Sequence, residues 1–597
     1  MPAGSEPDQA PPRLLGRAFV QRGRWLFDPA RRWRGGVREL TWSGTLAPED
    51  GDYCIAEVPD DGPAFLVEVL GAEDRPEWDD HTVASQFRLR ARFPSAVERE
   101  AQAAAAPVGH QRQGRLDLRG DLVFTIDPED ARDHDDALSV RGLGHGRWEV
   151  GIHIADVSHY VAPGTALDRE ARLRGTSCYL PGGVVPMLPE VLSGDLCSLR
   201  PDRDRLALSV IVSLDREGGR HGVRFAETVI RSRHRLAYGE VQEAFEGRTA
   251  FGAELTSALE TLRDLARGLR RKRMAAGALD LDVPEVKVWV DEHGQPLRVE
   301  RRARLESHEL IEEFMLLANR CVGEEGARRG PVGTAGGLIY RVHEPPAESK
   351  LHDLDAMLKA LGLPRLGNVT DPARALQALL AVPLDPAHRR LLHRLVLRSL
   401  ARARYHAHDL GHFGLATREY CHFTSPIRRY PDLHNHRRVR EWIRAAAGAP
   451  VAPGPEAWDP VAREHLAAQC SDREQNATDA EREAVRVKSL RLLATRLGDR
   501  ASGIITGLIP QGFFVELDDF PADGFVRPSL ALDDSFALDP SGTRLVGRRT
   551  RRRFTLGDAV VVTIARVDVP ARECDLALEA PRRRAGPSGP RRRRHGR

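Results

Sequence analysis

Between Asp127 and Asp136 the chain reads DPEDARDHDD. Six of these ten residues are acids: Asp127, Glu129, Asp130, Asp133, Asp135 and Asp136. Arg132 and His134 are the only counterweights within the run. Carboxylates crowded this closely repel one another unless some are protonated or a cation sits among them. A hard, oxygen-preferring divalent ion, Mg²⁺ or Mn²⁺, relieves that repulsion. Two such ions about 4 Å apart make a phosphodiester-cleaving site, in which one activates water and both stabilise charge on the attacking and leaving oxygens. The plain alternative is a solvated acidic loop. Against it, the run follows a strand-like, buried-looking segment, DLVFTID (121–127), which puts Asp127 at a strand end near the core. It then returns directly into a second strand from Ala137. His134-Asp135 also admits a histidine–aspartate phosphohydrolase. That site needs the pair on a helix with further histidines on other helices, and Pro128 and the flanking strands place it in a loop.

A second segment, HFGLATREYCHFTSPIRRYPDLHNHRRV (412–439), is rich in Arg and His. Pro426 breaks the chain after Ser425, so Arg428 and Arg429 are expected to open a new helix, a ready phosphate site with guanidinium forks. A basic surface helix is the alternative. His422, His434 and His436 are metal-ligand candidates, but satisfied structural histidines fit the pattern better. A third segment, 498–580, carries Phe513, Phe514 and Phe525 on strands near Gly bends. Aromatics on such a barrel face stack unpaired bases, and a core role fits each of them equally well.

These segments need positioning elements, and the rest of the sequence supplies them. The chain has 597 residues, 41% hydrophobic and 29% charged, a length for three to five soluble domains. No apolar run is long enough to span a bilayer, and the N-terminus lacks a signal-peptide pattern. Seven cysteines without a C-x-x-C pair fit reduced thiols in the cytoplasm. The net charge of +3 depends on eight arginines after Pro581; without them 81 basic residues face 86 acidic ones. A slightly acidic body argues against broad DNA coating and leaves room for a local basic channel.

Four parts are expected. Residues 1–110 form a small module, with two strands around the acidic turn of 51–71 and two short helices broken at Phe93-Pro94. Residues 111–497 begin β-rich, with RLALSVIVSLD (205–215) as a buried strand. They turn helical from about 255, with a hairpin-like insert at 286–300, helical patterns at 310–322 and 391–405, and a long amphipathic helix at 462–497. Residues 498–580 read as an OB-type barrel of about five strands, and 581–597 as a disordered Arg-rich tail. The fold class is α+β multidomain: a mixed α/β catalytic domain between a small N-terminal nucleic-acid-binding module and a C-terminal barrel.

TIDPEDARDHDDA, IHIADVSHYV, TSCYLPGGVVPMLPEVLSGDLCSLRPDRDRLALS, LIEEFMLLAN, IYRVHEPP and HFTSPIRRYPDLHNHR occur in this order. Residues 110–580 thereby resemble the ribonuclease II/ribonuclease R family, its RNB catalytic domain followed by an S1 domain. The resemblance implies 3′→5′ hydrolysis of single-stranded RNA to nucleoside 5′-monophosphates with a divalent metal, which the acid cluster suggests is Mg²⁺ (or Mn²⁺), two ions acting in catalysis. It implies Asp127, Asp133, Asp135 and Asp136 as the four active-site aspartates, with Asp135 the most critical. Arg428 matches the arginine on the scissile phosphate and Tyr179 the tyrosine stacked near the 3′-terminal nucleotide. Glu312 and Glu481 match acids near the substrate's 3′ end, Glu481 being tied to ribose recognition, and Tyr238 matches a substrate-lining tyrosine. The expected partner is single-stranded RNA, with no membrane and no obligate protein partner, for a cytoplasmic monomer. The competing class is a non-catalytic RNA-binding protein with a vestigial nuclease fold, and the four aspartates with Arg428 argue against it. The sequence departs from the family in three places. His134 stands where an apolar aromatic residue is usual, and Leu281 where Tyr179's aromatic partner is expected. The N-terminal region is short for two cold-shock barrels, leaving a single barrel or a winged-helix module.

Overall fold

The computed structural model describes residues 10–578, apart from 32, 34–35, 105–111, 282–284, 331–334, 368, 449–458 and 521. The expected boundary at 107–110 and the tail after Pro581 lie outside the described residues.

The central body is a six-stranded sheet. Its order is Asp204–Asp215, Arg147–Ala155, Asp136–Gly144, Val123–Asp127, Arg220–Ala237 and Leu116–Asp117. The strand Asp204–Asp215 is buried along nearly its whole length, which is why it reads as an unbroken apolar run rather than an alternating one. Helices Ala253–Ala275 and Glu306–Arg329 bring Leu255, Leu259, Leu262, Leu310, Phe314 and Leu317 into one core with Phe124, Ile126, Leu138, Ile152 and Val210 of the sheet.

Register sets the site. Val123–Asp127 runs parallel to Arg220–Ala237, with Asp127 level with Ala237, and its other edge pairs antiparallel with Asp136–Gly144. Asp127 ends one strand, Asp136 begins its neighbour, and Tyr238 opens a helix straight after Ala237. One end of the sheet therefore collects two aspartates and a tyrosine from three separate stretches of chain.

Residues Arg13–Gly71 close into a five-stranded barrel around Ala18, Phe27, Cys54, Ala56 and Leu66. Helices Asp79–Gln86 and Ser95–Ala103 follow it. A second closed barrel is built from Arg500–Ile509, Gly512–Leu517, Asp523–Val526, Ala559–Asp568 and Glu573–Leu578. It carries a three-stranded side sheet, 536–555, that the sequence reading did not anticipate. The 35-residue helix Pro460–Ala494 joins the parts. Its Glu483 takes Arg31 from beside the first barrel and Arg572 from the second. Its Lys488, fully buried, donates to Pro76 O (2.9 Å), Asp79 Oδ2 (2.9 Å) and Gly294 O (2.5 Å). Arg491 forks onto Asp79 and Asp74.

Two expected elements differ. The helix foreseen through 391–405 spans Pro386–Ser399; Arg404–His406 is instead a strand against Tyr340–Val342. The helix after Pro426 begins at Tyr430, not at Arg428, because Pro431 is suited to the first helical turn and Arg429 stays extended as its cap.

Candidate active site

Asp135 is buried, and its two carboxylate oxygens have different fates. Ile427 N donates to Oδ1 at 2.9 Å, while buried Oδ2 has no hydrogen-bond partner and lies 3.5 Å from Arg428 Nε. Burial pushes this carboxyl well above the usual range; Arg428 opposes the rise, and the charges of Asp133 and Asp136 add to it. Burial, and then the charge of Asp127, push Asp136 up to about 8. Asp127 Oδ2 lies 2.7 Å from His134 Nδ1, so the residue that departs from the family pattern is a buried partner of one of the four aspartates.

Arg428 and Arg429 are adjacent and do opposite things. Arg429, partly buried, forks onto fully buried Asp432 with contacts of 3.0 and 2.8 Å, and Asp432 also takes Ser425 N. That leaves Arg428 half-exposed, hydrogen-bonded to Ser425 Oγ and facing Asp135. Its carbonyl accepts from Ser177 N and Thr176 Oγ1 (both 3.0 Å), tying it to the hairpin that carries Tyr179.

Tyr179 lies on the hairpin Cys178–Leu180/Gly183–Val185 and donates through its hydroxyl to Asp133 Oδ2 at 2.9 Å. Its backbone N–H donates to Glu481 Oε1 at 2.7 Å. Burial raises the Glu481 carboxyl, a rise that this N–H and Arg428 oppose. Burial raises the Tyr179 phenol as well, with Arg428 opposing it. Asp80, which the sequence reading passed over, holds the same hairpin at its turn, where Gly182 N donates to Asp80 Oδ2 at 2.6 Å. No spacing pattern links residues a hundred positions apart. The only local signal was the bend Pro181-Gly182-Gly183, where a Cβ on Gly182 would lie 2.6 Å from that carboxylate.

Tyr238 lies beside Asp127 and Asp136, whose charges add to burial in raising its phenol, and its ring is 4.1 Å from that of His308. Glu312 is held by arginines: Arg304 Nη2 donates to it at 2.5 Å, and Arg273 lies 3.8 Å away. Leu281 packs at the edge of the helical core. The three candidate histidines of the second segment are structural. His434 bonds Gly337 O, His436 bonds Phe423 O and stacks on that ring at 4.2 Å, and His422 meets the Tyr405 hydroxyl. Burial lowers all three, His434 to about 3 and His436 to about 4.

Among the described residues no three His, Cys, Asp or Glu side chains are gathered into a finished metal cage. The donor set nevertheless fits a hard divalent ion. It is all carboxylate, one buried oxygen lacks a partner, and a neighbouring acid is short of counter-charge.

A groove of about 700 Å³ opens where the long helix, the hairpin Glu285–Arg302 and the second barrel meet. Phe514, 40% exposed, and Phe525 line it 5.0 Å apart, with Arg394, Arg482, Arg486 and Arg527 around them. Phe513 is wholly buried in the barrel core. Among the described residues no helix is long and apolar enough to cross a membrane.

Residues 115–445 match the RNB domain family model. Ribonuclease R of Aquifex aeolicus is 38% identical over 508 residues, 84% of this chain and 70% of that protein. Ribonuclease R of Thermotoga maritima is 39% identical over 562 residues, 90% of this chain and 78% of that one. Mycoplasma genitalium RNase R, solved in complex with ribose-methylated single-stranded RNA, superimposes with a TM-score of 0.86 at 26% identity, over 96% of this chain and 90% of that one. A match spanning more than half the chain, and relatives this similar along most of their length, place it: the chain belongs to the RNB-domain ribonucleases, as a 3′→5′ exoribonuclease of the ribonuclease II/ribonuclease R family.

Proposed function

We propose that the protein hydrolyses single-stranded RNA from its 3′ end, releases nucleoside 5′-monophosphates, and does so with Mg²⁺, or Mn²⁺, held as two ions by Asp127, Asp133, Asp135 and Asp136. The observation that carries this is Asp135 Oδ2, a buried carboxylate oxygen without a hydrogen-bond partner, 3.5 Å from the guanidinium of Arg428. A buried carboxylate oxygen without a hydrogen bond is costly, and a cation at that point removes the cost. When bound, the ions supply charge neutralisation and Lewis acidity at the reacting phosphate.

The chain's own residues do the rest. Ile427 N fixes Asp135 in one orientation. Arg428, freed because Asp432 occupies Arg429, places its guanidinium on the scissile phosphate and stabilises the charge that develops there. Tyr179 presents its ring to the 3′-terminal base from a hairpin held by Glu481 and Asp80. The second Glu481 oxygen accepts a hydrogen bond from a ribose 2′-hydroxyl, which distinguishes RNA from DNA. Tyr238 lines the path beside Asp127. Glu312 is an outer contact that reaches substrate only when Arg304 releases it. RNA approaches through the groove of Phe514 and Phe525, and the first barrel, the residues 1–110 module, adds RNA contacts at the entrance. The domains act as a monomer: 1–110, 111–497 as the RNB domain and 498–580 as the S1-like barrel. Seven buried free cysteines suit the cytoplasm.

The test is hydrolysis of a 5′-labelled oligoribonucleotide with Mg²⁺, with chelator, and after Mg²⁺ is restored. Stepwise shortening to 5′-monophosphates that stops in chelator and returns with Mg²⁺ is expected; activity persisting in chelator refutes the metal reading. In the same assay Glu481→Ala narrows the gap between RNA and DNA oligonucleotides, and an unchanged gap removes its ribose role.

A further inference from the structure

The side sheet of the second barrel turns back on itself between Arg544–Gly547 and Arg553–Thr555 through the sequence RRTRR. Arg548, Arg549, Arg551, Arg552 and Arg553 are all exposed. Arg549 pairs with Asp533. Among the described residues the other four have no carboxylate partner, and Arg552 rests over the ring of Phe554 at 5.4 Å. Arginines elsewhere on this barrel are mostly spent: Arg527 pairs with Asp575, and Arg566 with Asp568, Glu573 and Asp575.

The turn is also rigid. Asp534 Oδ1 accepts from Arg549 N at 3.0 Å, and its Oδ2 accepts from Thr550 N at 2.8 Å and Thr550 Oγ1 at 2.5 Å. Arg551 adopts a left-handed φ of 56°, with its N–H on Gly547 O at 3.2 Å. Gly547 admits no side chain there, since a Cβ would sit 2.4 Å from Asp534 Oδ2. The sheet is fastened to the helical part of the body, where Arg544 donates to Ala360 O and Gly557 abuts Leu391. Leu391 lies on helix Pro386–Ser399, which further along contributes Arg394 and Leu397 to the groove.

We propose that this arginine turn is a docking surface for the phosphate backbone of RNA that lies outside the catalytic cavity. The proposal rests on the RNA-exonuclease reading and extends it to the part of the substrate not yet threaded. Charge selects the occupant. After Asp533 and Asp534 are counted, three positive charges remain uncompensated on a fixed scaffold, and guanidinium forks match phosphate oxygens. The exposed residues of the turn, 548–553, are all arginine or threonine, so the turn itself offers no apolar centre of the kind that a protein partner buries. A preformed turn also loses little entropy when it binds.

The test uses the full chain carrying Asp135→Asn, so that RNA is bound and not consumed. Arg548→Gln, Arg551→Gln and Arg553→Gln are introduced together, with the matching Lys triple as control. Affinity is measured across a salt series for single-stranded RNA of about 30 and about 8 nucleotides; with roughly 0.7 counterions released per contacted phosphate, the Gln triple lowers the long-RNA salt slope by about 2. The long RNA binds about tenfold more weakly at low salt, the short RNA is unaffected, and the Lys triple keeps the parental slope. A parental slope in the Gln triple overturns the proposal. So does an equal loss on both RNAs, which assigns the turn to the catalytic path or to barrel integrity. Competition by poly-glutamate as strong as that by RNA overturns the nucleic-acid assignment. Failure of the parental chain to bind either RNA refutes the exonuclease reading itself.

Discussion

The molecule gathers like charges in two places and treats them in opposite ways. At 127–136 Asp127, Asp135 and Asp136 are drawn toward the end of a buried sheet, where Asp135 and Asp136 are forced well above the ordinary carboxylate range. At 548–553 the arginines stand in water on a surface turn. Burial converts repulsion into a demand for one particular kind of ion, because no water is left to screen it. Exposure leaves a positive field on guanidinium forks that match phosphate oxygens, and that field weakens with salt. The first kind of cluster is suited to chemistry and the second to holding substrate, and losing them should differ in scale.

The largest effect is expected inside. Asp135→Asn should cut turnover at least about a thousandfold, since the charge aimed at the reacting centre is lost. RNA affinity should hold or tighten, because a negative charge has been removed facing a polyanion. Single-turnover rates and binding measured on the same preparation separate the two, and full activity sinks the mechanism.

Next comes the adjacent arginine pair. Arg428→Ala should lower turnover about 10²- to 10³-fold with little change in unfolding midpoint. Arg429→Ala leaves Asp432 buried and unpaired, and should cost about 3–5 kcal/mol of stability. If both act mainly on stability, Arg428 is not a phosphate ligand.

A third effect sharpens the contrast through pH. In chelator, Asp136 keeps its proton up to about 8 in the folded protein, while the unfolded chain loses it near the ordinary value of about 4. Between those values the folded state binds more protons, so stability falls as pH rises from about 4 through about 8. A divalent ion takes the proton's place, and Mg²⁺ should flatten the decline. Unfolding midpoints across that range, with and without Mg²⁺, decide it; a decline that Mg²⁺ leaves unchanged separates Asp136 from the metal. The smallest effect is that of the arginine turn, a change in salt slope that leaves the chemistry of short RNA intact.

How much of this was legible depended on distance along the chain. The aspartate loop was readable because its carboxylates are contiguous and bounded by strand-like runs on both sides. The capture of Arg429 by Asp432 was not, since two identical neighbours differ only in which way the backbone turns them at the helix start. Tyr238 reaches the site through the parallel register of Ala237 with Asp127, a pairing between strands more than a hundred residues apart. Glu312 carried a strong motif, yet the arginines that occupy it come from Arg304 and from the preceding helix, where no pattern announces an ion pair. The side sheet escaped because its strands are three or four residues long and interrupted by arginines that read as loop.

Lys488 carries a consequence for anyone who dismantles the enzyme. It is one of only five lysines in a chain with 89 basic residues. Its three donors are matched to acceptors on Pro76, Asp79 and Gly294, from two other parts of the chain. A planar guanidinium does not reproduce that three-way arrangement, so even the arginine this chain prefers elsewhere is a poor substitute. The seam between exchangeable parts therefore lies before Asp74, at the barrel's last strand ending in Gly71. A graft that carries 74–86 away with the barrel strands a buried ammonium, whereas one cut at 72–73 keeps Lys488 and Arg491 with Asp79 and Asp74 and, among the described residues, gives up only the more exposed ion pairs Arg31–Glu483, Arg88–Glu57 and His81–Glu68.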